Sequence, residues 1–74
     1  MHTDSLVRMA NQIGTFFEAM PDRPEALESI AQHLRKFWVP RMRRDFLAHV
    51  DAGGSTELSA MVTEAISLHR SVLG

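Results

Sequence analysis

Apolar side chains between residues 3 and 20 recur every three or four positions, the period that gathers them on one side of a helix turning about 100° per residue. Leu6, Val7, Met9, Ala10, Ile13, Gly14, Phe16, Phe17 and Met20 fill one side, and Arg8, Asn11, Gln12, Thr15 and Glu18 the other. Thr3 or Asp4 can cap the start of this helix. So broad an apolar face can touch two neighbours. Gly14 lies within it at a cost of about 1 kcal/mol relative to alanine, either as the site of a close helix crossing or as a weak core position.

Pro21 ends the first helix and Asp22-Arg23-Pro24 starts the next, because aspartate satisfies free amides and proline is tolerated at the first helical position. The second helix is predicted over 24–38. Its apolar arc gathers Ala26, Leu27, Ile30, Ala31, Leu34, Phe37 and Trp38, with Glu28, Ser29, Gln32 and Lys36 opposite. Pro40 disfavours helical geometry at Val39, so the chain breaks or kinks there. A third helix over 40–52 turns Met42, Phe46, Leu47 and Val50 inward and Arg41, Arg44, Asp45, Ala48 and Asp51 outward. Gly53-Gly54 supplies the left-handed residue that stops it. Ser55 or Thr56 can cap a fourth helix that carries Leu58, Met61, Val62, Ala65, Ile66, Leu68, Val72 and Leu73 along one side. No run alternates like a strand, and there is no internal repeat. The predicted fold is all-α, a single compact domain over 1–74 built from four short helices.

Length sharpens this picture. A chain of 74 residues has room for one core, and a domain so short buries only about 60% of its unfolded surface. Its core rarely supplies more than ~3–5 kcal/mol of net stability. With no cysteine, disulfides and thiolate metal sites cannot add to it, which leaves binding to a partner as the stabiliser. Four broad apolar faces also hold more apolar side chain than so small a monomer can hide, so an exposed apolar patch is expected, the mark of a protein interface. Self-association of the isolated chain stays open on this reasoning. No apolar run approaches the ~18 residues of a membrane span, and residues 1–8 lack a signal-peptide pattern, so a cytoplasmic protein is expected, away from membranes.

Net charge is −1, but its distribution is uneven. Five of the eight basic residues, Arg35, Lys36, Arg41, Arg43 and Arg44, fall within ten positions that contain no acid. The same segment carries Phe37, Trp38 and Met42. Three readings compete for it: core aromatics with a solvated cationic rim, a docking surface rich in the residue types that partners bury, and a nucleic-acid patch, which the overall charge disfavours. Docking is favoured by Arg43, which projects among Leu47 and Val50, where a guanidinium requires a carboxylate or backbone oxygens that a partner could bring. The predicted interface centres on His33, Arg35, Lys36, Trp38, Pro40, Arg41 and Arg43, extending to the 9–20 side of the first helix.

Catalytic and metal chemistry find little foothold. His2, His33, His49 and His69 lie 31, 16 and 20 residues apart, so no pair shares a helix face as metal ligands on helices usually do. Asp45 and His49, four apart, read as an ordinary ion pair, and His69, on the apolar stripe of the last helix, as a hydrogen-bonded core histidine or part of a frayed end. There is no nucleophile elbow, phosphate loop or dinucleotide fingerprint.

Three stretches, at 6–17, 33–43 and 49–54, carry a family resemblance in their order, spacing and sequence. The middle one, with Phe37-Trp38-Val39-Pro40-Arg41-Met42, is the most specific. Together they resemble the delta subunit of soluble NAD-dependent formate dehydrogenase over nearly the whole chain. Val39, where the family pattern favours an acid, and Ser55-Thr56 depart from it. The resemblance implies a cofactor-free accessory subunit that contributes no catalytic residue and assists assembly or stability of the alpha subunit. Formate would be oxidised on that alpha subunit, which carries molybdopterin guanine dinucleotide and iron–sulfur clusters, with flavin and NAD handled by another subunit. A transient assembly chaperone of the same enzyme and a small nucleic-acid-binding regulator are the alternatives.

Overall fold

The structure, a computed structural model, describes residues 3–73; His2 lies outside them. Four helices of nine or more residues form the body: α1 (Thr3–Phe17), α2 (Arg23–Phe37), α3 (Pro40–Asp51) and α4 (Ala60–Leu68). A 3₁₀ turn (Gly54–Glu57) links α3 to α4, and a single helical turn, α5 (Arg70–Leu73), closes the described chain. Among the described residues there is no strand. The all-α expectation therefore holds.

The local signals placed most boundaries. Asp22 adopts extended geometry and accepts from the Glu25 amide at 3.2 Å, satisfying one of the donors a helix start leaves over. Pro40 opens α3 directly after the extended Val39. Gly53 ends it with φ 104°, a conformation that costs glycine nothing and other residues dearly. The first helix stops at Phe17 instead of reaching Met20.

The fourth helix differs more. Neither Ser55 nor Thr56 caps it; Ser59 does, accepting from the Val62 amide at 3.3 Å. Ser59 is selected by Asn11 of α1, whose Oδ1 accepts the Ser59 amide at 2.9 Å while its Nδ2 donates to the Glu57 carbonyl at 3.1 Å. At the other end α4 stops at His69, which is half-buried and caps the helix. The break turns α5 back so that Leu73 enters the core, and it leaves Leu68 exposed instead of on an inward stripe.

A shortest extent of 17 Å is about what two layers of helix packed 8–10 Å apart occupy. The interior is accordingly one layer of side chains with two centres. One gathers Leu6, Leu34, Trp38, Phe46, Val62 and Ile66. The other, where α2 meets α4, uses Ala26, Leu27, Ile30, Met61 and Ala65, small residues at two positions letting the helix backbones approach. Gly14 is the close-crossing case: a Cβ there would lie 2.6 Å from Val62 Cγ2 and 3.3 Å from Ser59 Oγ.

Ion pairs lace the outside. Arg23 reaches Glu64 at 2.6 Å, Arg70 reaches Asp51 at 2.7 Å, and His49 lies 3.1 Å from Glu57. The last corrects the expected Asp45–His49 pair: the 3₁₀ turn carries Glu57 to the imidazole. The Arg70 hydrogen bonds hold the Asp51 carboxyl below the usual carboxylate range.

Two outcomes follow. Gly14→Ala gains helix propensity of about 1 kcal/mol but forces the fully buried Val62 aside, overpacking that costs about 1–3 kcal/mol; thermal unfolding should show a net loss. A carboxyl whose folded pKa is depressed adds stability above its unfolded value and loses it as pH falls through the folded one. Asp51→Asn should therefore lower the Tm at neutral pH, and only slightly because the pair is exposed. The two proteins should converge in acid below the ordinary aspartate range, which a Tm series against pH reads directly.

Candidate docking surface

The α2–α3 corner decides what this surface contains. Trp38 follows the last residue of α2 in extended geometry, φ −91° and ψ 131°, so its side chain leaves the helical projection and turns inward. The indole is 5% exposed and stands edge-on to Phe46, with ring centroids 5.3 Å apart at 82°, a favoured aromatic arrangement. Phe37, still helical, is left outside at 70% exposure. The expectation that both aromatics lie on the inner arc is thus corrected for Phe37, while Trp38 is buried in the core and also lines a surface groove. Phe16, also assigned to an apolar face, is 74% exposed.

Arg43 is corrected on the same grounds. It is half-buried, as its place among Leu47 and Val50 implies, but the chain itself supplies the oxygens. Nη1 donates to the Trp38 carbonyl at 2.6 Å and the Arg35 carbonyl at 2.9 Å, and Nε to the Leu73 carbonyl at 3.3 Å. Arg35, exposed, donates from Nη1 to the Val72 carbonyl at 3.1 Å. These carbonyls belong to helix ends that leave acceptors over, so two of the clustered arginines fasten the last turn, α5, to the α2–α3 corner. No partner is required to satisfy either.

His33, Lys36, Pro40 and Arg41 remain outward or half-outward. Lys36 and Arg41 form no ion pair or side-chain hydrogen bond among the described residues. Pro40 borders an open groove of about 370 Å³ between α3 and α5, with Arg44, Leu47, Asp51 and Arg70. His33 does not line that groove and lies instead in an aromatic row. Phe16 and Phe17 meet edge-on with centroids 5.1 Å apart, Phe17 and His33 at 6.1 Å, and His33 and Phe37 at 4.7 Å. The row therefore crosses from α1 to α2.

Shallow grooves flank it. One, of about 440 Å³, is walled by Met9, Ile13 and Phe16 on α1 and by His33 and the edge of Trp38. The other, of about 240 Å³, lies between Phe17, Ser29, Gln32, His33, Lys36 and Phe37. Neither is lined by a carboxylate. Sequence reasoning reached the α1 side of this surface only as a range, and it missed Phe37. The available signal was the excess width of the apolar arcs, which foretells an uncovered patch without saying where it lies.

Among the described residues no three metal-ligating side chains converge, and no helix is long and apolar enough to cross a membrane. A family model described as NADH-dependent formate dehydrogenase delta subunit, FdsD, matches residues 5–66. The chain belongs to this family. No curated protein and no solved structure matches it. The part of the chain matched to the delta-subunit family takes in most of α1, all of α2 and α3 and most of α4, including the whole aromatic row, while α5 lies beyond it.

For this delta-subunit chain the buried Trp38 and the half-buried Arg43 should behave as fold residues. Trp38→Ala removes a core aromatic at a cost of about 3–5 kcal/mol, comparable to the whole stability of so small a domain. Far-ultraviolet helicity should largely collapse. Arg43→Glu leaves three carbonyls without their donor, a loss of about 1–3 kcal/mol, and amides of residues 70–73 should lose protection in hydrogen exchange before those of α1.

Proposed function

We propose that this chain is a non-catalytic accessory subunit of a cytoplasmic, NAD-dependent, molybdenum-containing formate dehydrogenase, which binds the catalytic alpha subunit and supports its assembly or stability. The observation that carries the reading is the aromatic row left bare on a chain that belongs to the delta-subunit family. A domain of this size hides too little of its apolar surface to be robust alone, and side chains such as Phe16 and Phe37 gain by leaving water against another polypeptide. The contact centres on the outward members of the corner, His33, Lys36, Pro40 and Arg41, and on the 9–20 side of α1.

Cations play a supporting part in this reading. Lys36, Arg41 and Arg44 stand exposed, and rim charges of this kind steer encounter and fix orientation more than they hold a complex together. Nucleic-acid binding is weakened as a reading, because Arg35 and Arg43 of the basic segment already donate to backbone carbonyls of their own chain.

Tagged chain recovered from its native cell should bring down the alpha subunit in stoichiometric amount with active formate dehydrogenase. Removing its gene should lower the amount of assembled alpha subunit. Recovery with cofactor-less alpha subunit only, and absence from active enzyme, would mark a transient assembly factor instead; solitary recovery would defeat both.

A further inference from the structure

Phe16, Phe17, His33 and Phe37 form a continuous aromatic row across α1 and α2, with an apolar groove on either side. We propose that this row is the anchor of the interface and that its occupant is an amphipathic helix of the partner polypeptide, apolar toward the row and bearing carboxylates toward Lys36 and Arg41. The inference rests on the accessory-subunit reading and adds to it the anchoring residues and the chemistry of what they hold.

The form of the occupant follows from what the surface offers. Among the described residues there is no strand, so a partner cannot add main-chain hydrogen bonds along a sheet edge. What α1 and α2 present is a ridge with a furrow on each side, which suits the side-chain rows of a third helix laid against them. Its two exposed phenylalanines are the kind of large, rigid side chain that dominates binding energy when it fills a pocket on the other side.

Charge selects the occupant further. Three acids are paired within the chain, Glu64 with Arg23, Asp51 with Arg70 and Glu57 with His49, and no carboxylate lines either groove beside the row. Lys36 lies within the groove beside Phe37, and Arg41 is exposed in the first turn of α3, five residues after Lys36. The start of α3 has no side-chain cap on Val39 and no acid in its first turn, so its positive end adds to the cationic character of the α2–α3 corner. An occupant with carboxylates at that end complements it.

A second copy of this chain does not. A two-fold interface pairs a patch with itself, so the Lys36 and Arg41 of both copies would share one interface, with no carboxylate in either groove to offset them. Like charges so juxtaposed oppose association.

The test uses the full-length chain co-expressed with the formate dehydrogenase alpha subunit. Phe16→Ser together with Phe37→Ser should leave helicity and Tm at or above the parent values, since both side chains are exposed, and should cut capture of the alpha subunit by at least about tenfold. Lys36→Glu with Arg41→Glu should reduce capture less and flatten its dependence on salt. Undiminished capture by the folded double-serine variant would overturn the anchor while leaving the accessory role intact. Failure of the parent chain to capture the alpha subunit would remove the role itself. If the double-serine change instead dissolves a homodimer of the isolated chain, or abolishes retention of a single-stranded oligonucleotide, without affecting capture, the row serves a different occupant and the inference fails.

Discussion

The turn at Trp38 and Val39 governs how this molecule is put together. Pro40 holds Val39 out of helical geometry, and the extended Trp38 before it swings its indole off the α2 surface and onto Phe46 of α3. That one redirection joins α2 to α3 through the core and forms a wall of the larger groove with an indole edge. It also strands Phe37 on the outside. Arg43 then sets the angle, since a rigid guanidinium that donates to carbonyls from the end of α2, the corner and α5 admits few relative positions of the three.

Much of the fold was legible because its determinants are local. Asp22, Pro24, Pro40 and Gly53 each act within a turn of their own position, so they locate helix ends without knowledge of the rest. What escaped depends on residues far away in sequence. Three hydroxyl residues could have capped α4, and the choice of Ser59 is made by Asn11, 48 positions earlier. His49 had an acid four residues away and yet lies against Glu57, because the 3₁₀ turn folds back. Arg23 and Glu64 meet across 41 residues.

The docking surface was half legible for a related reason. Helical projection assumes a helix that continues, so it put Phe37 and Trp38 on one arc; a break between them sends one in and one out. It likewise identified Arg43 as a buried cation in need of oxygens, but could not see that α5 would return to bring one of them. The apolar excess was countable from the sequence, whereas its location depended on which faces the four helices spent on each other. α2 spends its small residues on α4, and the aromatic ends of α1 and α2 remain.

Asn11 behaves as a short length of substitute main chain. A single planar amide holds the Glu57 carbonyl with one end and the Ser59 amide with the other, so those two groups cannot drift apart or shift independently of α1. The segment before α4 is in effect a rigid extension of the first helix. Moving α1, which also carries Phe16, therefore means either moving the beginning of α4 with it or breaking both of those hydrogen bonds.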